Sequence, residues 1–218
     1  MSFPVFDYRT DNRNVLIAPQ IRARLMRIEV GEVSGGSRPG LGHSHDLGYE
    51  VFLVLQGQAE FEIDGETQVL MPGQLCFAGI DQRHTVRNVG AEPVVLYLSV
   101  APHIQPTHTM WTDDGDKEPP RFNPSTVYDV LPDRSTPTKA LLARHLAAME
   151  ALVEEAQTAR DVQRAQADAF RQALHSGQHQ AVCQARDAMW AALYPLFRQV
   201  YDLAEAWNDL TYCTADEE

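Results

Sequence analysis

Two histidines and a glutamate that lie close together form the first candidate metal-binding motif. In the segment HSHDLGYEVFLVLQG, His43 and His45 are separated by one residue and Glu50 follows five residues after His45. Residues i and i+2 of a β-strand point to the same side, so the two imidazoles can face one point in space. The apolar run that begins at Glu50 would bury its carboxylate, which needs a cation nearby to tolerate burial. The segment therefore predicts a metal site.

A second segment, GQLCFAGIDQRHTVRN, supplies one more ligand, His84, at the start of a short alternating stretch. Together the two segments offer three neutral imidazoles and one carboxylate. Around a six-coordinate divalent ion this set leaves two positions open and one net positive charge. Mixed nitrogen and oxygen ligands suit Fe, Mn, Ni, Co or Zn. We therefore expect one divalent transition metal per chain, held by His43, His45, Glu50 and His84.

The spacing of these residues resembles the two sequence motifs of the cupin superfamily, over roughly residues 20 to 100. The motif positions that match are the ligands and the closing glycine and asparagine residues: His43, His45, Glu50, Gly57, Gly73, His84 and Asn88. Three turn positions differ from the motifs: Ser37, Gly79 and Asp81. Because these differences concern turn geometry, the resemblance still implies a metal-binding cupin.

The resemblance implies a fold and a range of activities. Cupins are antiparallel β-barrels, also described as a double-stranded β-helix or jelly roll, and they include dioxygenases, isomerases, lyases, decarboxylases and binding or sensor proteins. We expect a small-molecule metalloenzyme of the dioxygenase type, in which Glu50 is catalytic and Met26, Phe52 and Phe77 line the substrate pocket. The alternatives are a non-catalytic ligand-binding or sensor cupin, and a cupin isomerase or lyase.

Short strands separated by turn signals agree with a barrel. Residues Phe3–Tyr8 and Val15–Ala18 are predicted edge strands, and the alternating segment Arg22–Val33 is a predicted longer strand. Asp64-Gly65 is a strong signal for a two-residue hairpin. Further short strands follow up to Val100. A barrel of this size encloses side chains or one small ligand.

A change in composition follows the predicted barrel. Seven of the thirteen prolines lie between Pro102 and Pro137, which is typical of an extended, irregular segment. His103 and His108 lie in this segment, and no carboxylate or cysteine accompanies them at ligand spacing. We therefore interpret them as ordinary loop histidines. Trp111 is expected to pack on the barrel.

The remainder of the chain is predicted to form two amphipathic helices. Thr136 and Pro137 form a helix start signal, Ser176-Gly177 interrupts the periodic pattern, and Pro195 predicts a kink in the second helix. A short connection between two long helices predicts an antiparallel hairpin. The predicted fold is therefore mainly β, with the barrel first and the helical hairpin after it. We expect a cupin barrel at residues 1–112, a Pro/Asp-rich linker at 113–135 and a helical hairpin at 136–218.

The overall composition excludes several classes of partner. The chain has 18 basic and 30 acidic residues, a formal net charge of −12, and no basic stripe, so we expect no nucleic acid partner. Nowhere do 18 apolar residues run together, so we expect no membrane partner. The three scattered cysteines are typical of reduced thiols. We expect a cytoplasmic protein that forms a homo-oligomer, specifically a dimer. Its expected ligand or substrate is a small molecule.

Overall fold

The computed structural model describes residues 3–36, 42–131 and 135–216. Contacts within the chain divide it into two compact units. One consists of Met1–Asp133 together with Thr211–Glu218, and the other of Arg134–Leu210. Ser37, the motif position at which a glycine is replaced, lies outside the described residues.

The first unit contains two antiparallel β-sheets. The strands are β1 Asn14–Ala18, β2 Ile21–Ile28, β3 Val33–Ser34, β4 Tyr49–Gln56, β5 Ala59–Ile63, β6 Glu66–Leu70, β7 Leu75–Ala78, β8 His84–Asn88 and β9 Val94–Ala101. One sheet has the order β1-β2-β9-β4-β7 and the other the order β3-β8-β5-β6. This arrangement confirms the predicted antiparallel β-barrel.

The hydrophobic core lies between the two sheets. Alternate residues of each strand point inward, so that Phe52, Val54 and Leu96 of the first sheet belong to one buried cluster with Phe61 and Val86 of the second. Burying each of these side chains contributes roughly 1.5–3 kcal/mol. The alternation in the sequence thus reflects a core that both sheets share.

Two strand predictions differ from the structure. The predicted strand Arg22–Val33 is interrupted after Ile28 by a turn in which the Glu32 amide donates to the Glu29 carbonyl and Gly31 has φ +80°. Beyond this turn, β3 pairs with β8 in the other sheet. Residues 3–8 form no strand, and the first strand begins at Asn14. The turn at Gly31 therefore takes the chain from one sheet to the other.

The predicted hairpin at Asp64-Gly65 is confirmed. These residues connect β5 to β6 and have φ values of +49° and +84°. A type I′ turn needs positive φ at both central residues, which Asp tolerates and Gly adopts freely.

The proline-rich segment after β9 belongs to the first unit. It contains a short 3-10 helix at Ser125–Tyr128, in which Tyr128 is fully buried. Within this unit the Tyr212 hydroxyl lies 2.9 Å from Nε2 of His103, and the Ser125 hydroxyl donates to Oδ2 of Asp216 at 2.8 Å. Described residues of the proline-rich segment and of the C-terminal end of the chain therefore share contacts in the first unit. The boundaries at residues 112 and 136 remain a prediction from composition.

The second unit is a helical hairpin, as predicted. Helix α1 spans Thr138–His175 and helix α2 spans His179–Ala215, joined by a turn in which Gly177 has φ +67°. Pro137 is the residue preceding the first helical residue, and α2 continues through Pro195. Contacts between His145 and Trp207 confirm that the helices are antiparallel. No helix in the described part of the chain is long and apolar enough to cross a membrane.

Candidate metal centre

The two sheets bring Glu50 and His84 together from opposite sides. Glu50 lies near the start of β4, where it pairs with Val100 of β9 and Ala78 of β7. His84 is the first residue of β8 in the other sheet. Both side chains are buried, with 3% and 2% of their surface exposed. The position of each strand therefore fixes one side chain of the site.

The segment that precedes β4 supplies the other two histidines. Ser44 exchanges backbone hydrogen bonds with Thr109, which gives the segment a strand-like backbone. The His43 carbonyl accepts from the His84 amide at 2.9 Å, and the His45 carbonyl accepts from the Asp81 amide at 3.0 Å. Successive residues of such a segment point to opposite sides, so His43 and His45 face the same side, as predicted.

The backbone around the site leaves no room for side chains at one of its turns. A Cβ atom at Gly48 would collide with the carbonyl of Ala101, so the turn into β4 requires glycine there. Asp81, which occupies a glycine position of the motif, has φ +62°. Aspartate is among the residues that tolerate this left-handed region, so the turn is kept despite the replacement.

The four predicted ligand residues converge on one point. Nε2 of His45 and Nε2 of His84 lie 2.8 and 2.9 Å from Oε2 of Glu50, and Nε2 of His43 lies 3.7 Å from the same oxygen. One ligand atom from each residue lies within 4.8 Å of all the others. This separation suits four ligands of one ion, because each metal–ligand bond is about 2.0–2.2 Å long.

The other ring nitrogens determine which tautomer each histidine adopts. In every ring Nδ1 faces a backbone carbonyl: His43 Nδ1 is 3.0 Å from Gly35 O, His45 Nδ1 is 2.6 Å from Thr107 O, and His84 Nδ1 is 2.9 Å from Gln82 O. A carbonyl oxygen only accepts, so Nδ1 carries the hydrogen and Nε2 of the neutral ring carries a lone pair. Three lone pairs and a carboxylate then face one another, which is the arrangement that a metal-ligating histidine set presents.

One orphaned atom supports the fit of a metal ion. Nε2 of His43 is buried and has no hydrogen-bond partner among the described residues. Leaving a buried polar atom unpaired costs about 1–3 kcal/mol. A cation between the four ligand atoms would satisfy it and would separate the lone pairs. The residues present therefore fit a divalent transition metal, although they do not distinguish Fe, Mn, Ni, Co and Zn.

The protonation states also suit a metal. Burial lowers the pKa of His43, which favours its neutral form. A neutral imidazole and an ionised carboxylate are the forms that bind metal.

Two residues that the sequence did not assign to the site lie beside the ligands. Nη2 of Arg22 is 3.6 Å from Oε1 of Glu50, and this side chain is buried. The His108 ring centroid lies 4.8 Å from that of His43 and 5.0 Å from that of His45. Burial, followed by the proximity of the His43 ring and of the Arg22 guanidinium, holds the pKa of His108 well below its usual value. The interpretation of His108 as an ordinary loop histidine is therefore corrected.

His103 also has a specific position. It is fully buried, and its Nδ1 lies 2.9 Å from the hydroxyl of Thr107 while its Nε2 lies 2.9 Å from the hydroxyl of Tyr212. The Thr107 carbonyl in turn accepts from His45. We call this series of contacts from Tyr212 through His103 and Thr107 to His45 the Tyr212–His45 chain. His103 thus lies in an irregular segment, as predicted, but its burial and these contacts show that it is not an ordinary loop histidine.

Of the three predicted pocket residues, the structure places one against a predicted metal-ligating histidine. The Phe52 ring is buried and lies 5.7 Å from the His84 ring, in an edge-on arrangement, and Met26 belongs to the same buried cluster as Phe52. Phe77, in contrast, is 57% exposed and pairs with Val51, so it lies on the outer face of its strand. Phe77 is therefore removed from the predicted pocket.

Part of the chain is similar in sequence to known proteins. Residues 24–100 match the family model described as the cupin domain. A curated relative, polyketide synthase CurC of Streptomyces cyaneus, is 34% identical over 90 residues, which are 38% of this chain and 58% of that protein. The chain thus spans less than two thirds of the length of this relative.

Solved structures of similar fold include two bacterial proteins. A protein with a double-stranded β-helix domain from Klebsiella pneumoniae is 22% identical, with a TM-score of 0.41, over 46% of this chain and 91% of that chain. KdgF from Halomonas is 23% identical, with a TM-score of 0.35, over 42% of this chain and 78% of that chain.

Proposed function

Because residues 24–100 place this chain in the cupin superfamily, we propose that the protein is a metal-dependent enzyme of the dioxygenase type that acts on a small molecule. One observation carries the proposal: three Nε2 lone pairs and the Glu50 carboxylate face one buried point, and Nε2 of His43 has no hydrogen-bond partner in the described part of the chain. The similarity to a relative named as a polyketide synthase supports a role in small-molecule metabolism.

A divalent transition metal, when bound, supplies Lewis acidity and, if it is redox-active, electron transfer to dioxygen. His43, His45 and His84 would hold the ion through Nε2. The backbone carbonyls at their Nδ1 atoms fix the orientation of the rings, which is the usual outer contact of a metal-ligating histidine.

Glu50 has two roles in this proposal. Its carboxylate offsets one charge of a divalent ion, and it is the single negatively charged ligand of the four. It can therefore accept a proton from a substrate at Oε1, on the side that Arg22 faces. Phe52, packed against His84, keeps water away from one wall of the site.

A second candidate function is a ligand-binding or sensor protein. The Tyr212–His45 chain favours it, because the chain connects a residue near the C-terminal end of α2 to a metal ligand. An isomerase or lyase would use the same ligands without consuming dioxygen.

The first experiment measures metal content. We expect about one transition-metal ion per chain in the purified protein, and a large loss in the His84→Ala variant. His175→Ala, which changes an exposed histidine at the end of α1, is the matched control. Equal metal content in the wild type and in the His84 variant would exclude this site as the place where the metal binds.

The second experiment measures chemistry. A metabolite panel is screened for compounds that raise the melting temperature, since a ligand stabilises the state that binds it. For an enzyme, Glu50→Gln should lower turnover of such a compound much more than it weakens binding; for a sensor it should change affinity alone. Consumption only when air is admitted supports a dioxygenase, and equal consumption without oxygen redirects the assignment to a lyase or isomerase.

We also propose that the protein forms a homodimer. Tyr49, Leu75 and Phe77 are each more than half exposed on adjacent strands β4 and β7, and the rings of Tyr49 and Phe77 lie 6.2 Å apart. Contiguous exposed apolar side chains are typical of surfaces that associate.

A further inference from the structure

Two arginines lie on the inward face of β2. Arg22 and Arg24 are separated by one residue, so they share a face of the strand with Met26. Within the sheet, Arg22 and Glu50 both pair with Val100 of β9, one from each side. The register therefore places the Arg22 guanidinium at the same level of the barrel as the metal ligands.

The buried guanidinium of Arg22 is incompletely paired. The residue is 5% exposed, and its Nε atom has no hydrogen-bond partner among the described residues. Its closest carboxylate contact, Nη2 to Oε1 of Glu50, is 3.6 Å long. Charge-assisted hydrogen bonds between such groups are about 2.7–2.9 Å long. Glu50 also faces three imidazoles and does not form a hydrogen bond of this length with Arg22. Hydrogen-bond donors of Arg22 therefore remain available to a ligand.

An aromatic ring lies against Arg22. The guanidinium carbon lies 5.6 Å from the centroid of the Tyr128 ring, and Tyr128 is fully buried. A cation–π contact of this kind helps to hold the buried side chain in place. The edge of the guanidinium, with its fork of N–H donors, stays available for a planar anion.

The charges around the site also favour an anion. A divalent ion with Glu50 leaves one net positive charge, and Arg22 adds another. Arg24 lies on the same face of β2, and its Nε is likewise buried without a hydrogen-bond partner in the described residues. The nearby carboxylate of Asp129 is already engaged, because it accepts from the backbone and side-chain amides of Asn14 at 2.7 and 2.9 Å. A negatively charged ligand would offset this excess of positive charge.

We propose that the ligand of this site is an organic acid and that Arg22 binds its carboxylate group. This inference rests on the proposed function, because it assigns the substrate class of the same metal site. A planar carboxylate matches the two parallel N–H donors of a guanidinium. Arg22 would thereby orient the ligand beside Glu50 and select acids over neutral compounds of the same shape.

The test compares an acid with its uncharged amide. Benzoate and benzamide, and acetate and acetamide, are titrated into manganese-loaded protein at constant ionic strength, with binding followed by calorimetry. Both acids should bind, and both amides should bind at least about tenfold more weakly. Arg22→Gln should weaken binding of the acids about tenfold to hundredfold, as expected for the loss of a hydrogen bond to a charged group, while metal content stays at the wild-type level.

Two further variants make the test specific. Arg27→Gln is the matched control, because Arg27 lies on the same strand but is exposed and forms an ion pair with Glu29; it should leave acid binding unchanged. Arg22→Lys keeps the charge and removes the fork of donors, so it should weaken acid binding by a smaller factor. It also provides a second reading if Arg22→Gln does not fold.

Several results would overturn the inference. These are equal acid affinity in the wild type and the Arg22 variants, equal affinity for acids and amides, no binding of either acid, or loss of metal in parallel with loss of acid binding. Binding of inorganic phosphate that depends on Arg22, without binding of carboxylates, would replace the organic acid by a phosphate. If the protein binds metal but does not prefer acids, the organic-acid inference fails and the proposed metalloenzyme stands. If the protein binds no metal, both proposals fail.

Discussion

The buried histidine His103 makes a quantitative prediction about stability and pH. Burial, together with the positive charge of Arg22, lowers its pKa to about 3, and its side chain is 0% exposed. In the unfolded chain a histidine has a pKa of about 6.5. Above pH 6.5 both states are neutral at this position, so the stabilising effect of neutral His103 is fully present. As the pH falls from 6.5 towards 3, the unfolded chain takes up a proton that the folded chain does not, and stability is lost.

The size of the effect follows from the two pKa values. A difference of about 3.5 pKa units corresponds to roughly 4–5 kcal/mol over the whole pH window, at about 1.36 kcal/mol per unit. Between pH 7.5 and pH 5 the expected loss from this group alone is about 2 kcal/mol. That loss is substantial, because the free energy of unfolding of a domain is typically about 5–15 kcal/mol.

The assay is urea unfolding of the wild type and of His103→Gln between pH 7.5 and pH 5. A chelator is present in every sample, so that acid release of metal does not contribute. Because other groups also titrate, the quantity of interest is the difference in free energy of unfolding between the two proteins. The wild type should lose about 2 kcal/mol more than the variant over this range. His175→Gln, at the exposed end of α1, controls for removal of an imidazole as such.

A constant difference between wild type and His103→Gln across this range would refute the reasoning. It would mean that the folded protein protonates His103 as readily as the unfolded chain does. The contacts of both ring nitrogens with the hydroxyls of Thr107 and Tyr212 would then have to rearrange without cost.

Three further predictions concern the helices and the outer surface of the barrel. Tyr212→Phe should lower the free energy of unfolding by about 1–3 kcal/mol, because it removes a hydroxyl partner of buried His103, and urea unfolding at pH 7.5 measures this. Removing all residues after Asp133 takes away the same partner together with the hairpin, so we expect aggregation or a lower melting temperature; an equally stable, equally monodisperse product in light scattering would show that the hairpin is dispensable. Phe77→Glu should shift the protein from dimer to monomer in light scattering, whereas Leu16→Glu, at an exposed apolar residue of β1, should not.

The sequence predicted the parts of this protein that depend on local spacing. The side-by-side orientation of His43 and His45 follows from a period of two residues, and the Asp64-Gly65 turn follows from the backbone preferences of these residue types. Both can be deduced without knowing which strands are neighbours. The convergence of Glu50 with the histidines was inferred from motif spacing, and it is realised because β4 and β8 face each other across the core.

The residues that were missed depend on pairing between distant segments. In the strand LCFA every residue is apolar, so alternation does not reveal the inward face; pairing with β4 shows that Ala78 faces inward and Phe77 outward. Arg22 contacts Glu50 because β9 alone lies between their strands in the sheet. No local sequence pattern indicates this strand order. His108 comes from a segment without regular structure, where periodicity carries no information.

A test based on the outer contacts of the three histidines can distinguish an enzyme from a sensor. Each Nδ1 donates to a backbone carbonyl, but the carbonyl used by His45 belongs to Thr107, whose hydroxyl contacts His103 and, through it, Tyr212. A signal passing between α2 and the metal would therefore act on His45, whereas His43 and His84 would be unaffected. If the protein is a sensor, Tyr212→Phe must change metal or ligand affinity as well as stability. In an enzyme that only needs rigid ligands, the Thr107 carbonyl alone fixes His45, and the loss of the Tyr212 hydroxyl should lower stability without altering affinity.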